Sequence, residues 1–211
     1  MTQPVSRRSF LKKSCLIAGA AGLAVCGGGA LAATYQPKIE KPTVSLGDDA
    51  GKRVLVAYAT RAGSTAQTAV RMGELLAKRG LRVDVQPVAG VTDLAPYSAV
   101  VAGSGIRSGA VLPELLTFLQ NNQAALQQKP LGLFILCMTL ASDTEANRKT
   151  VSAYLDPVRA VVKPASEGLF AGVMDMGKLI LLERLAIMAM AAPSGDFRNW
   201  DQINAWTEKT V

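Results

Sequence analysis

Five short apolar runs, interleaved with segments of helical periodicity, constrain this chain more than any other feature. The runs are Arg53–Ala59, Leu81–Val88, which alternates apolar and polar residues, Ser98–Gly103, Leu131–Met138 and Ala165–Val173. Between them, Thr65–Arg79 places Ala69, Met72, Leu75 and Leu76 on one helical face, and Leu112–Gln123 does the same with Leu115, Leu116 and Leu119. Thr144–Val162 reads as a helix that Pro157 kinks or splits. Gly177–Ala191 is an apolar helix, and Asn199 is placed to cap a last helix reaching Lys209. Strands apolar on both faces and joined by helices must lie in a parallel sheet covered on both sides. The expected fold is therefore α/β: a doubly wound, five-stranded parallel sheet.

In such a sheet a ligand belongs beyond the carboxyl ends of the strands, where the strand order reverses. Three loops lie there. The first, Thr60-Arg61-Ala62-Gly63-Ser64-Thr65, joins strand one to helix one. Gly63 permits a tight turn and close approach of the backbone. Thr60, Ser64 and Thr65 bring hydroxyls, and the first helical N–H groups favour an anion, so the loop reads as a phosphate cradle. An ordinary strand-to-helix turn capped by Ser64 or Thr65 is the competing reading. Gly-Lys-Ser/Thr is absent, so it is no ATP-binding P-loop. The second, Gly103-Ser104-Gly105-Ile106-Arg107-Ser108-Gly109, has glycines that let backbone groups meet a flat ligand and an arginine to balance negative charge. As a dinucleotide fingerprint it is incomplete: Ser108 stands at the third glycine, and no acidic residue lies between Glu114 and Asp143. The third, Thr139-Leu140-Ala141-Ser142-Asp143-Thr144, reads equally as ligand contact or as a helix N-cap at Ser142 or Asp143.

The amino-terminal segment narrows the chemistry. Ser6-Arg7-Arg8-Ser9-Phe10-Leu11-Lys12 precedes an apolar stretch from Cys15 to Ala33, and Ala30-Leu31-Ala32 offers a small-x-small cleavage site. This is the pattern of a twin-arginine export signal, read by the twin-arginine translocase, with cleavage expected after Ala32. An uncleaved anchor, or lipidation at Cys26, is the alternative. The expected organisation is signal 1–32, linker 33–51 and domain 52–211, periplasmic or otherwise extracytoplasmic. The signal holds four of the 23 basic residues and no acid, which leaves +3 on the remainder. No basic stripe with interleaved aromatics is present, so nucleic acid is not an expected partner. Cys137 is the only cysteine after the signal, and histidine is absent from the chain. Ser-His-Asp and Cys-His catalysis, histidine metal sites and an iron–sulfur cluster within one chain are thereby excluded, and no catalytic or metal-binding residue is assigned. Redox chemistry, if the chain has any, falls to an organic cofactor.

The first loop resembles the flavodoxin phosphate loop, Thr-x-Thr-Gly-x-Thr, with Ala62 at the third position. Tyr58-x-Thr60-x-x-Gly63-x-Thr65, the Gly103–Gly109 segment and Gly195-Asp196-Phe197-Arg198-Asn199-Trp200 together resemble menaquinone-dependent protoporphyrinogen oxidases of the flavodoxin-domain family, over roughly Lys52 to Thr207. The resemblance implies strand order 2-1-3-4-5 and FMN. It places the phosphate on Thr60–Thr65, with the ring between Ser104, Gly105, Ile106, Arg107, Ser108 and Gly109 on one side and Thr139, Leu140, Ser142 and Asp143 on the other. It also implies electron delivery from a reduced donor to a quinone or other acceptor. An electron carrier without its own substrate, and a flavin-free partner-binding module, are the competing functions. The apolar helix 177–191 reads either as a surface for membrane, quinone or partner, or as a crossover helix packed on the sheet. Cys137 and Tyr58 read as core, and Trp200 and Trp206 as packing anchors.

Overall fold

A computed structural model describes residues 38–48, 52–189 and 193–211. The expected signal and its cleavage site, the start of the linker and residues 190–191 of the apolar helix lie outside the described residues. The elements in chain order are β1 (Val44–Leu46), β2 (Arg53–Ala59), α1 (Ser64–Lys78), β3 (Arg82–Pro87), β4 (Ala99–Arg107), β5 (Ala110–Val111), α2 (Pro113–Asn121), α3 (Gln123–Leu126), β6 (Leu131–Cys137), α4 (Glu145–Ala153), α5 (Asp156–Arg159), β7 (Ser166–Ala171), β8 (Val173–Met174), α6 (Leu181–Ala189), β9 (Gly195–Asp196) and α7 (Trp200–Thr210).

Five parallel strands run in the order β3-β2-β4-β6-β7, which is 2-1-3-4-5 in their own sequence order. Alternation along each strand feeds two cores, as a doubly wound sheet requires. Leu55, Ala57, Val100, Ala102, Leu133 and Ile135 face α2, α4 and α5 with Leu115, Leu119, Val151 and Val158. Val54, Val56, Tyr58, Val101, Phe134 and Leu136 face α1 and α7 with Ala69, Met72, Leu76 and Ile203. Tyr58 is core as expected. Burial pushes its hydroxyl pKa up to about 12, and it donates to the Pro42 carbonyl at 2.7 Å. Cys137 is a buried free thiol.

Four expectations are corrected in detail. The stretch 33–51 is not wholly a tether, because Val44–Leu46 adds an antiparallel edge strand to β3; a strand of three residues is too short to register as a run. The helix at 144–162 divides at Leu155, just before Pro157, into α4 and α5. The helix at 177–191 is a 3-10 turn, Met176–Lys178, followed by α6. The Gly103–Gly109 segment is not a free loop. Strand β4 continues to Arg107 and folds back into β5. The turn residues Ser108 and Gly109 have φ of 50° and 74°, the positive pair that a two-residue type I′ hairpin requires.

Residues Ile39–Asp175 and Pro193–Val211 form one compact unit, and it contains every strand among the described residues. The described part of residues 176–189 belongs to a second unit, with α6 braced internally by Arg184 Nε donating to the Leu179 carbonyl at 3.0 Å.

At the end of the sheet opposite the expected ligand, Asp84 is buried on β3. It accepts from Ser45 Oγ at 2.6 Å, Arg53 Nε at 2.7 Å and Tyr97 Oη at 3.0 Å, so one carboxylate ties β1, β2 and the loop before β4. Burial alone raises its pKa, but the hydrogen bonds from Ser45, Arg53 and Tyr97 and the charge of Arg53 outweigh it, leaving the pKa below its ordinary 3.8. A carboxylate depressed in the folded state contributes stability above the unfolded value and loses it as pH falls through the folded value. Asp84→Asn is therefore expected to cost about 2 kcal/mol at neutral pH, since hydrogen bonds to a charged group are lost while the shape is kept. The gap to the parent should close as pH falls below about 4. Urea midpoints of both proteins from pH 7 to 2 check this; a constant gap would exclude the assignment.

Candidate cofactor site

The carboxyl ends of β2, β4 and β6 meet at one edge of the sheet, with β2 and β4 adjacent at its centre. Chain leaves β2 at Ala59 and turns into α1 through Thr60–Gly63. Gly63 adopts φ 90°, ψ −20°, a left-handed conformation in which other residues are strained. Its N–H donates to Thr60 Oγ1 at 2.9 Å, which fixes the turn. Neither Ser64 nor Thr65 caps α1: the capping position is Gly63, and no side chain among the described residues closes the helix. By contrast α4 and α7 are closed by Thr144, accepting from the Asn147 N–H, and Asn199, accepting from the Gln202 N–H. Helix α1 thus presents its first-turn N–H groups, with the positive end of its dipole, to the edge of the sheet.

The hydroxyls expected in the cradle divide into two kinds. Ser64 is half-buried at the helix start. Thr60 and Thr65 are buried. Thr60 holds the turn, and Thr65 faces Gly105 so closely that a Cβ there would stand 3.3 Å from Thr65 Oγ1. Arg61 lies exposed and pairs with Glu114 Oε1 at 2.6 Å, which bridges the cradle to the start of α2. Glu114 Oε2 is buried and has no hydrogen-bond partner among the described residues. Ala62 is half-buried in the turn.

The β4–β5 hairpin forms one wall. Ser104 is fully buried; its Oγ donates to the Gly105 carbonyl and accepts the Leu112 N–H at 2.9 Å. It secures the return of the hairpin, and its side chain faces inward. Gly105 and Ile106 are half-buried, and Arg107, Ser108 and Gly109 are exposed. A Cβ on Gly109 would stand 3.4 Å from the Tyr154 ring, so the hairpin tip rests beside the end of α4. The 3-10 turn Met138–Ala141 forms the opposite wall. Thr139 is half-buried, Leu140 is buried, and Ser142 and Asp143 are exposed. The cap of α4 falls on Thr144, not on Ser142 or Asp143, because Asp143 is engaged by Arg148 at 2.6 Å. The hydrogen bond from Arg148 keeps the Asp143 pKa below the ordinary carboxylate value. Among the described residues no cluster of His, Cys, Asp or Glu suited to a metal ion is present.

The Gly195–Trp200 segment carries one more residue, to which the sequence assigns no role. Arg198 reaches the first turn of α1, with Nη1 3.4 Å from the Ser64 carbonyl oxygen and from Thr68 Oγ1. Its Nε and Nη2 hold the Asp196 carboxylate at 2.9 and 2.6 Å, and its guanidinium lies 4.5 Å from the centre of the Trp200 ring. The alternation Asp196-x-Arg198-x-Trp200 is the available signal, since extended backbone puts alternate side chains on one side. Trp206 instead packs on Phe134 and Phe170, at 6.3 and 5.8 Å between ring centres.

An uncapped helix start beside two backbone walls suits a flat molecule that ends in an anion. A family model described as a flavodoxin domain matches residues 55–200. No curated protein matches the sequence. Among solved structures, a flavodoxin of Streptococcus pneumoniae TIGR4 is 16% identical, covering 75% of this chain and 97% of its own, with a TM-score of 0.47. An NADH:FMN oxidoreductase in its apo form is 15% identical, covering 76% and 88%, with a TM-score of 0.49. Oxidised flavodoxin 1 of Bacillus cereus is 12% identical, covering 76% and 99%, with a TM-score of 0.46.

Proposed function

Because the chain belongs to the flavodoxin-domain family, we propose that it binds FMN and serves as an exported oxidoreductase, passing electrons from a reduced donor to a quinone. The observation that carries the FMN reading is the start of α1: a left-handed Gly63 and a helix that no side chain among the described residues caps, at the centre of the sheet's carboxyl edge. There the N–H groups of Ser64, Thr65 and Ala66 would receive the phosphate, with Ser64 Oγ and Arg61 beside them. The β4–β5 hairpin and the Met138–Ala141 turn would flank the ring. FMN supplies the electron-accepting chemistry, which is why the chain needs no acid–base residue of its own. The chain's part is to orient the ring, exclude water through Ile106 and Leu140, and balance charge through Arg107.

Three features support the finer reading. Arg7-Arg8 and the apolar stretch after them support export by the twin-arginine translocase. The segments Gly103–Gly109 and Gly195–Trp200 resemble those of menaquinone-dependent protoporphyrinogen oxidases, which points to a donor of that chemical class. Leu181, Leu185 and Met188 are 41, 52 and 63% exposed, and their spacing puts them on one stripe of α6. Such a stripe suits contact with a membrane surface, where a quinone is held. Among the described residues no helix is long and apolar enough to cross a membrane.

The test is an absorbance spectrum of natively purified protein, followed by the mass of the released chromophore. A flavin spectrum with the mass of FMN is the expected result. A colourless protein that takes up no added FMN would replace this function with a flavin-free binding module. Steady-state turnover with a reduced donor and a soluble quinone then distinguishes an enzyme from an electron carrier, which would show none.

A further inference from the structure

We infer that Arg198 is a positioning residue for the phosphate end of the cofactor, giving this site its preference for a phosphorylated flavin; this rests on the FMN reading above. The side chain is 7% exposed, and it sits at the amino-terminal turn of α1. That is the positive end of the helix dipole, where a buried cation is disfavoured unless anions surround it. One anion is present. Asp196 accepts from the Arg198 N–H, Nε and Nη2, and these bonds, that from the Arg198 side chain first, hold its pKa below the ordinary carboxylate value. Yet the Asp196 side chain is 46% exposed and lies on the solvent side of the pair. The guanidinium therefore keeps a positive field on the α1 side. Its remaining nitrogen, Nη1, faces the Ser64 carbonyl oxygen and Thr68 Oγ1, within the helical turn whose N–H groups would hold the phosphate.

The local sequence builds this position. The Phe197 N–H donates to the Gly172 carbonyl at 3.1 Å, and β9 pairs with β8, so Asp196 and Arg198 extend from a fixed ribbon. Asn199 then starts α7, which packs on α1. Trp200 lies under the guanidinium plane and limits its movement. A guanidinium fixed by a carboxylate, a ring and two oxygens of α1 does more than fill space. It adds a charge of constant position to a site that recognises an anion.

The experiment compares FMN with riboflavin, which shares the ring and lacks the phosphate. Dissociation constants for both are measured by flavin fluorescence on the flavin-stripped full chain and its variants. Arg198→Met is expected to weaken FMN about tenfold and leave riboflavin within about twofold. Arg198→Lys, which keeps the charge, should retain most of the preference. Asp196→Asn removes the neutralising anion and should raise the FMN-to-riboflavin preference, an effect of opposite sign that loss of folding does not imitate. Equal weakening of both flavins by Arg198→Met would reduce Arg198 to a structural tie and overturn the inference, as would an unchanged preference in Asp196→Asn. A parent protein that binds neither flavin would instead overturn the FMN reading itself.

Discussion

Gly63→Val is expected to give a folded protein that purifies without flavin and binds added FMN at least about a hundredfold more weakly than the parent. Sterics against the surroundings are not the reason. Among the described residues, a Cβ at position 63 would have only Ile39 Cγ2 near it, at an ordinary 3.7 Å. The obstacle is φ 90°, which costs an L-residue about 1–2 kcal/mol and is least tolerated by a β-branched side chain. The turn escapes that strain by moving to negative φ. The Gly63 N–H then leaves Thr60 Oγ1, and the first amides of α1 lose their common aim. Losing two charge-assisted hydrogen bonds to phosphate, at roughly 1.5 kcal/mol or more each, yields the hundredfold estimate. Gly63→Asn separates conformation from size, because asparagine enters the left-handed region with little strain; it is expected to keep most of the affinity. FMN titration with far-UV circular dichroism as the fold control checks both variants. Flavin retained by Gly63→Val would remove the phosphate from this turn.

The sheet was readable because its information is local. Arg53–Ala59 and Leu131–Cys137 are buried along nearly their whole length, so unbroken apolar runs announce them and the strand bounds match closely. The turn from β2 into α1 was readable for the same reason, since Thr60, Gly63 and the start of α1 are contiguous. Three features were not readable, two of them because they depend on distant partners. Strand β1 is three residues long and exists because β3 offers an open edge. The glycines of Gly103–Gly109 read as a loop whose backbone meets a flat ligand, although Ser108–Gly109 is a hairpin turn set by the pairing of Arg107 with Ala110. Arg198 was visible within a motif, but the carbonyl it faces belongs to Ser64, 134 residues away. No periodicity in the sequence connects those two positions.

Gly103 shows the same limit at its largest energetic scale, and Gly103→Ala is expected to be among the most damaging single substitutions in the domain. In register, Tyr58, Gly103, Phe134 and Gly168 form one row across β2, β4, β6 and β7. Large rings alternate with glycines along it. Tyr58 and Phe134 are fully buried, and the Phe134 ring spreads over Gly103 so far that an added Cβ would fall within it. The ring has no free direction. Trp206 packs on Phe134 and in turn on Phe170, and a Cβ on Gly168 would collide with Phe170. A core packed to crystal density absorbs one extra methyl only by off-rotamer side chains or backbone shifts, at about 3 kcal/mol here. For a domain of this size that lowers Tm by about 10 °C, measurable by calorimetry. Phe134→Leu leaves a gap over the glycine when made alone, yet the double variant fills it. Gly103→Ala with Phe134→Leu should therefore be more stable than the two single losses predict, a coupling expected of residues in contact. Gly103 lies in the middle of β4, before the Gly105–Gly109 wall, so the folded fraction of Gly103→Ala should bind FMN within about threefold of the parent. A normal Tm with weakened FMN would return Gly103 to the cofactor site; a lowered Tm with intact binding assigns the glycine to the space its neighbour's ring requires.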